Sequence, residues 1–180
     1  MNIQKTVCFS GHRPEKFNFP LTNEYPEYLR LLETTRDAIL EAIDDGYDNF
    51  MVGMAGGFDL VAASVFYELK DAKYIPGKVR FTAVLPFTGH RPTKDWLDIH
   101  QAVLEEADEV ITVAEKYSSR AYLERNRLMV DRSSRLICYC ASLTGGTAYT
   151  VKHAARNGLK IVNLAELEPG NDLVFFLTHC

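Results

Sequence analysis

Asn49-Phe50-Met51-Val52, then Gly53-Met54-Ala55-Gly56-Gly57-Phe58-Asp59, then Leu60 to Leu69: an apolar run, a glycine-rich turn and a helical stretch follow one another directly. A run this short, with Phe50, Met51 and Val52 apolar, is too brief for a helix and enough for a strand. The glycines mark a tight strand-to-helix turn. Working outward from here, the same unit recurs. Further apolar, β-branched-rich runs lie at Ile3 to Phe9, Val79 to Leu85, Glu109 to Val113, Arg135 to Tyr139 and Lys160 to Leu164. Helical spacing fills the gaps. Tyr28, Leu31, Leu32, Thr35, Ala38, Ile39, Ala42 and Ile43 trace one i, i+3, i+4 stripe, which Gly46 stops. Trp96 to Ala107, Arg120 to Val130 and Thr147 to Arg156 give three more helices, the last closed by Asn157-Gly158. No linker, low-complexity tract or shift in composition interrupts the alternation. It predicts an α/β fold: one doubly wound domain over residues 1–180, with a mainly parallel sheet and helices on both faces. The tail after Leu164, acidic and then apolar from Leu173 to Leu177, is expected to add an edge strand or a packing flap.

Composition narrows the functions such a fold can serve. The 180 residues carry 20 Lys and Arg against 24 Asp and Glu, for a net charge of -4 and a pI near 5.7. Wrapping nucleic acid or an anionic membrane needs a broad cationic face, so this balance argues against both. A small basic pocket is compatible with it. Mean hydropathy is -0.14, and no apolar stretch approaches the roughly 18 residues that span a bilayer. The N-terminus lacks the long apolar centre of a signal peptide, and the four cysteines (8, 138, 140 and 180) make no disulfide framework at this length. A reducing cytoplasm is the expected compartment. Cys138 and Cys140, expected on opposite faces of one strand, read as buried free thiols. The histidines at 12, 90, 100, 153 and 179 show no metal-ligand spacing, so no metal is expected.

Parallel α/β sheets bind ligands at the carboxyl ends of their strands. Four of the apolar runs end in sequences suited to an anion. These are Ser10-Gly11-His12-Arg13-Pro14, Gly53 to Asp59, Pro86-Phe87-Thr88-Gly89-His90-Arg91-Pro92, and Ser142-Leu143-Thr144-Gly145-Gly146-Thr147. Gly56-Gly57 and Gly145-Gly146 each open a helix, where glycine permits close backbone approach and free N–H groups face an anion. Thr147 can cap its helix or donate to a phosphate. Neither run is a Gly-x-Gly-x-x-Gly fingerprint or a P-loop. Gly-His-Arg-Pro occurs twice, at 11–14 and 89–92, and offers His12 and Arg13, and again His90 and Arg91, as donors to an anion. Tyr117 to Arg135 holds five arginines against Glu124 and Asp131, whereas Asp98 to Glu109 holds five acids and no Lys or Arg. Most of these charges read as solvated helix faces. Arg125 shares a helical face with Met129 and is placed to point inward over the rim.

In this order, Ser10 to Pro14, Gly53 to Asp59, Arg125-Asn126-Arg127-Leu128-Met129-Val130-Asp131 and Gly145-Gly146-Thr147 resemble the YpsA-like branch of the SLOG superfamily. These Rossmann-like proteins are related to the DNA-processing protein DprA and to the LOG phosphoribohydrolases. The resemblance spans essentially the whole chain. It implies a Rossmann-like fold holding a nucleotide or nucleotide-derived ligand, NAD- or ADP-ribose-like or AMP-like, at the glycine-rich rim. In LOG enzymes an arginine four residues before a methionine is catalytic, and Arg125 with Met129 keeps that spacing. The LOG glutamate three residues after the threonine of the glycine turn is Thr150 here.

The leading expectation is therefore a cytoplasmic binding protein or sensor for a small nucleotide-type ligand. Ser10, Gly11, His12, Arg13, Gly53, Gly56, Gly57, Asp59, Pro86, Arg125, Asn126, Gly145, Gly146 and Thr147 are the candidate ligand residues, with His12, Arg13 and Arg125 supplying charge. A nucleotide-processing hydrolase is the alternative, with Arg125 on phosphate and Asp59 or Asp131 as acid, base or stabiliser. DprA-like binding of single-stranded nucleic acid is a third reading, against which the net charge argues. Doubly wound folds often dimerise through a helix face, so a homo-oligomer stays open.

Overall fold

The computed structural model describes residues 2–165. The tail expected to supply a strand or flap, Leu173 to Leu177, lies outside them. Among the described residues six strands form one sheet: β1 (Thr6–Gly11), β2 (Asn49–Val52), β3 (Arg80–Phe87), β4 (Glu109–Ala114), β5 (Arg135–Tyr139) and β6 (Lys160–Asn163). Their spatial order is β4-β3-β2-β1-β5-β6, and every pairing is parallel. Five helices connect them: α1 (Pro26–Asp44), α2 (Phe58–Asp71), α3 (Leu97–Glu106), α4 (Ser119–Asp131) and α5 (Gly145–Arg156). The predicted α/β architecture is the observed one.

Alternation along each strand divides the core into two layers. Val7, Phe9, Phe50, Val52, Phe81, Ala83, Ile137 and Tyr139 pack against α1, α2 and residues of α3. Cys8, Met51, Val84, Leu136, Cys138 and Cys140 pack against α4 and α5. Cys138 and Cys140 thus share a face, as residues two apart on an extended chain must, and the expectation of opposite faces is corrected. Both thiols are buried and free. Two-sided burial is why β2 and β5 read as unbroken apolar runs rather than alternating ones.

Chain direction then fixes where a crevice opens. The sheet grows outward from β1 to β4, with α1, α2 and α3 on one face. Helix α4 returns across the other face, and β5 is laid down on the free side of β1. Connections therefore leave β1 and β5 in opposite directions, and the helices that follow diverge to either side. That is the topological switch point, where ligands of open α/β sheets bind. Among the described residues no helix is long and apolar enough to cross a membrane.

One local departure has a clear cause. The first apolar run begins as a strand only at Thr6, because Asn2 folds residues 3–5 into a 3-10 turn. Its side-chain oxygen accepts from Gln4 N at 3.1 Å, and its carbonyl accepts from Lys5 N at 3.0 Å and Thr6 Oγ1 at 2.9 Å. A short side-chain acceptor competes here with the sheet ladder.

Candidate functional site

At the carboxyl ends of β1 and β5 a cleft of about 180 Å³ is lined by Ser10, Gly11, Arg13, Lys16, Ala55, Asp59, Tyr122, Leu123, Arg125, Asn126, Gly146 and Thr147. Among these residues three cations face one carboxylate. Arg13 and Lys16 are exposed, on the loop that follows β1 and on its 3-10 turn at Pro14–Lys16. The Arg13 guanidinium lies over the Tyr122 ring, 5.2 Å from its centroid. Tyr122, Arg125, Asn126 and Met129 form one i, i+3, i+4, i+7 stripe of α4, which turns the first three into the cleft and Met129 into the core.

Arg125 is 4% exposed, as its position on the inward stripe implies. Its Nη1 donates to Gly53 O and lies 3.3 Å from Asp59 Oδ2. Asp59 Oδ2 also accepts from Ala55 N at 3.3 Å. Burial pushes the Asp59 carboxyl above its usual range, and the Arg125 charge offsets this only in part. Burial likewise lowers Arg125 from its ordinary value, against the pull of Asp59. Among the described residues Arg125 Nε has no hydrogen-bond partner, although it is buried at the cleft wall.

The glycine turns divide into two kinds. Gly53, Gly56 and Gly57 are buried, and neighbouring groups press on all three. A Cβ on Gly53 would overlap the Arg125 guanidinium, and one on Gly56 would lie 3.2 Å from the Trp96 ring. Gly57 has φ +91°, and a Cβ there would overlap the His12 carbonyl. That carbonyl also accepts the first helical N–H of α2, from Phe58 at 3.1 Å. Close packing requires glycine at these three positions, and none of the three lines the cleft. The second turn differs. Gly145 and Gly146 are exposed, Thr144 makes no side-chain cap, and Gly146 and Thr147 line the cleft with the first turn of α5. This helix end is open to an anion.

His12 sits behind the cleft wall rather than in it. Its Nε2 accepts a hydrogen bond from Ala141 N at 3.0 Å, so that nitrogen carries a lone pair. Nδ1–H then donates to Thr147 Oγ1 at 3.4 Å, and Thr147 donates onward to Gly11 O at 3.0 Å. Burial, with Lys16 nearby, lowers the pKa of His12. The imidazole is neutral and ties β1, the β5 loop and α5 together. Its expected role as a source of charge is corrected, and Lys16 supplies the positive charge instead.

Two further expectations are corrected. Asp131 ends α4, where it is exposed and bonded to His153 Nε2 at 2.8 Å and Asn157 Nδ2 at 3.1 Å, away from the cleft. Six residues of helix separate it from Arg125, about 9 Å along the axis. Pro86 is buried inside β3 and does not reach the cleft. The second Gly-His-Arg-Pro lies beside the site without lining it. His90 is buried, with its ring 5.8 Å from both Tyr122 and His100. It supports Tyr122 from behind.

Of the other expected residues, Ser10, Gly11, Arg13, Asp59, Arg125, Asn126, Gly146 and Thr147 meet around the cleft. Lys16, Ala55, Tyr122 and Leu123 join them, although the sequence reading does not single them out. The i−3 spacing of Tyr122 from Arg125 is a usable signal, whereas Lys16 has none. Thr150, at the position of the LOG glutamate, is 1% exposed. It accepts from Asn126 Nδ2 at 2.8 Å and donates to Gly146 O at 2.9 Å. Among the residues lining the cleft, Asp59 is the carboxylate. Among the described residues no cluster of three or more His, Cys, Asp or Glu is placed to hold a metal.

A six-stranded parallel sheet, helices on both faces and a polar crevice at the switch point define a Rossmann-like α/β protein. The family model of the YspA SLOG family (YpsA) matches residues 7–162, and the chain belongs to that family. Among solved structures it is similar to DNA processing protein A (DprA) from Streptococcus pneumoniae, at 14% identity and a TM-score of 0.62, covering 97% of this chain and 56% of that one. It is also similar to DprA from Helicobacter pylori, studied for its single-stranded DNA binding mode, at 17% identity and a TM-score of 0.60, covering 97% of this chain and 79% of that one. The chain thus spans little more than half the length of the S. pneumoniae protein, and likeness at these identities is a likeness of fold. A search of curated proteins finds no match.

Proposed function

We propose that the protein is a cytoplasmic binding protein or sensor for a nucleotide or nucleotide-derived ligand, NAD- or ADP-ribose-like or AMP-like, held by its phosphate in the switch-point cleft. The observation that supports this most is the convergence of Arg13, Lys16 and Arg125 on the uncapped first turn of α5. Free N–H groups, the positive helix end and two long, exposed cationic side chains together suit one phosphate. Asn126 and Ser10 add neutral polar groups beside it.

Calorimetry against NAD, ADP-ribose, AMP and cyclic and linear dinucleotides tests the reading. Binding is expected for at least one, and Arg13→Ala with Lys16→Ala should weaken it about tenfold or more, since a charge-assisted hydrogen bond contributes about 1.5–3 kcal/mol. Folded protein that binds none of them at millimolar concentration overturns the reading. A hydrolase reading draws on Asp59, whose raised pKa is a property of acid–base groups. Turnover of a bound nucleotide, abolished in Asp59→Asn with the fold intact, would move the protein to that class. For single-stranded nucleic acid the corresponding result is a gel shift that weakens steeply with salt.

A further inference from the structure

A second cavity opens on the other side of the switch point, between α1 and the end of β5. Its volume is about 380 Å³. Phe19, Leu31, Tyr139 and Leu164 make an apolar floor, and Asn18 and Thr34 stand at the rim. The aromatic wall is ordered by its own contacts. Phe17 stacks on Tyr139 with centroids 4.6 Å apart, and Phe19 meets Tyr139 edge-on at 6.2 Å. The space opens to solvent, and its volume lies within the range of small-molecule pockets, roughly 300–1,000 Å³.

Two facts connect this cavity to the phosphate cleft. Lys16 lines both. Its Nζ lies 3.0 Å from where a Cβ on Gly145 would stand, so the ammonium bridges the cavity mouth to the first turn of α5. Resting on the phosphate reading above, we propose that the α1-side cavity receives the nucleobase of the ligand whose phosphate sits at α5. The ligand then lies across the ends of β1 and β5 as a nucleoside monophosphate, or as the nucleotide half of something larger. An apolar aromatic floor accepts the faces of a planar heterocycle. Its polar edge can meet the amide of Asn18 and the lone pairs of Thr34 Oγ1, whose hydrogen goes to the α1 carbonyls of Arg30 and Leu31. A bare sugar phosphate would leave this space unfilled.

The test compares AMP, GMP, CMP and UMP with ribose 5-phosphate by calorimetry. At least one nucleotide should bind the wild-type protein about tenfold or more tightly than ribose 5-phosphate, the scale of one stacked base. Thr34→Trp fills the cavity from the surface of α1. It should reduce the nucleotide to the affinity of ribose 5-phosphate while leaving ribose 5-phosphate itself unchanged. Asn18→Trp, on the exposed loop, repeats the test from the other rim should the first variant misfold. Equal binding of nucleotides and ribose 5-phosphate, or nucleotide affinity untouched by both tryptophans, overturns the nucleobase assignment and leaves the phosphate reading standing. Failure of every phosphate to bind overturns both.

Discussion

Removing the Arg125 guanidinium would leave the buried Asp59 carboxylate with the Ala55 N–H as its remaining hydrogen bond and only the more distant charge of Arg13 to offset its burial. An uncompensated buried charge costs about 3–5 kcal/mol, so Arg125→Ala should lower the urea midpoint strongly as well as weaken phosphate binding. Gly53→Ala should destabilise by about 1–3 kcal/mol, because its Cβ meets the same guanidinium. The pair is then coupled: with Arg125 already truncated, the added methyl has room. The double variant should cost less than the sum of the singles by about 1 kcal/mol, and additive costs would show that Gly53 answers to something else. Sequence spacing points to the inward side chain, since Arg125 shares a stripe with Met129. It does not show that Gly53 is a glycine because of Arg125, since those two residues meet only through the tertiary fold.

Between residues and molecule, the two Gly-His-Arg-Pro turns show how one tetrapeptide takes two structural roles. His12 closes a hydrogen-bonded relay whose partners, Ala141 and Thr147, arrive from the far end of the chain. His90 packs among Phe87, Tyr122 and His100, with its Nδ1 unpartnered among the described residues. Burial, then the charges of Arg125, His100 and Arg13, lowers His90 from 6.5 to about 4. Burial also lowers His12, with Lys16 adding to it, and His100, with Arg91 adding to it. Each of these rings is neutral when folded and takes up a proton more readily when unfolded. Their contribution is therefore fully present above about pH 6.5, the unfolded value, and is lost as pH falls below it, for His90 through about 4. Urea midpoints measured between pH 7.5 and 4.5 should fall with acid, with His90 alone contributing about 1.4 kcal/mol per pH unit inside that window. His90→Gln should flatten the slope, and an unchanged slope would remove His90 from the account. Turn chemistry is legible at both copies, as a strand end followed by a loop. Roles are not legible, because each depends on what packs against the turn.

Over the whole molecule, the two ends of the sheet differ in character: the carboxyl end holds an open polar cleft and the amino end a network of ion pairs. Elements and their succession are readable from apolar runs and glycine stops, with β2 and β5 at their observed limits. Strand order is not readable, since it depends on the direction of each crossover. With it goes the distinction between glycines that line the open cleft and glycines that face Trp96 or His12. At the amino end, Arg135 is buried at the start of β5, paired with Asp45 and 4.6 Å from the Tyr47 ring centroid, where the sequence alone reads a surface residue. Glu41 and Lys160 complete the network, and hydrogen bonds from Arg135 and Lys160 hold the Asp45 carboxyl below its usual range. Two of the Arg135 nitrogens, Nε and Nη1, have no hydrogen-bond partner among the described residues. Much of the stabilisation from this side chain is therefore bulk rather than charge. Arg135→Met, which keeps the bulk, should change stability by no more than about 1 kcal/mol, whereas Arg135→Ala should cost about 3 kcal/mol or more through the void it leaves. Five residues of strand, about 16 Å, separate this network from the cleft. Neither variant should alter ligand affinity, and the stability costs of Arg135→Ala and Arg125→Ala should add within about 0.5 kcal/mol. Coupling beyond that would mean that strain passes along β5, and the two ends of the sheet would have to be treated as one cooperative site.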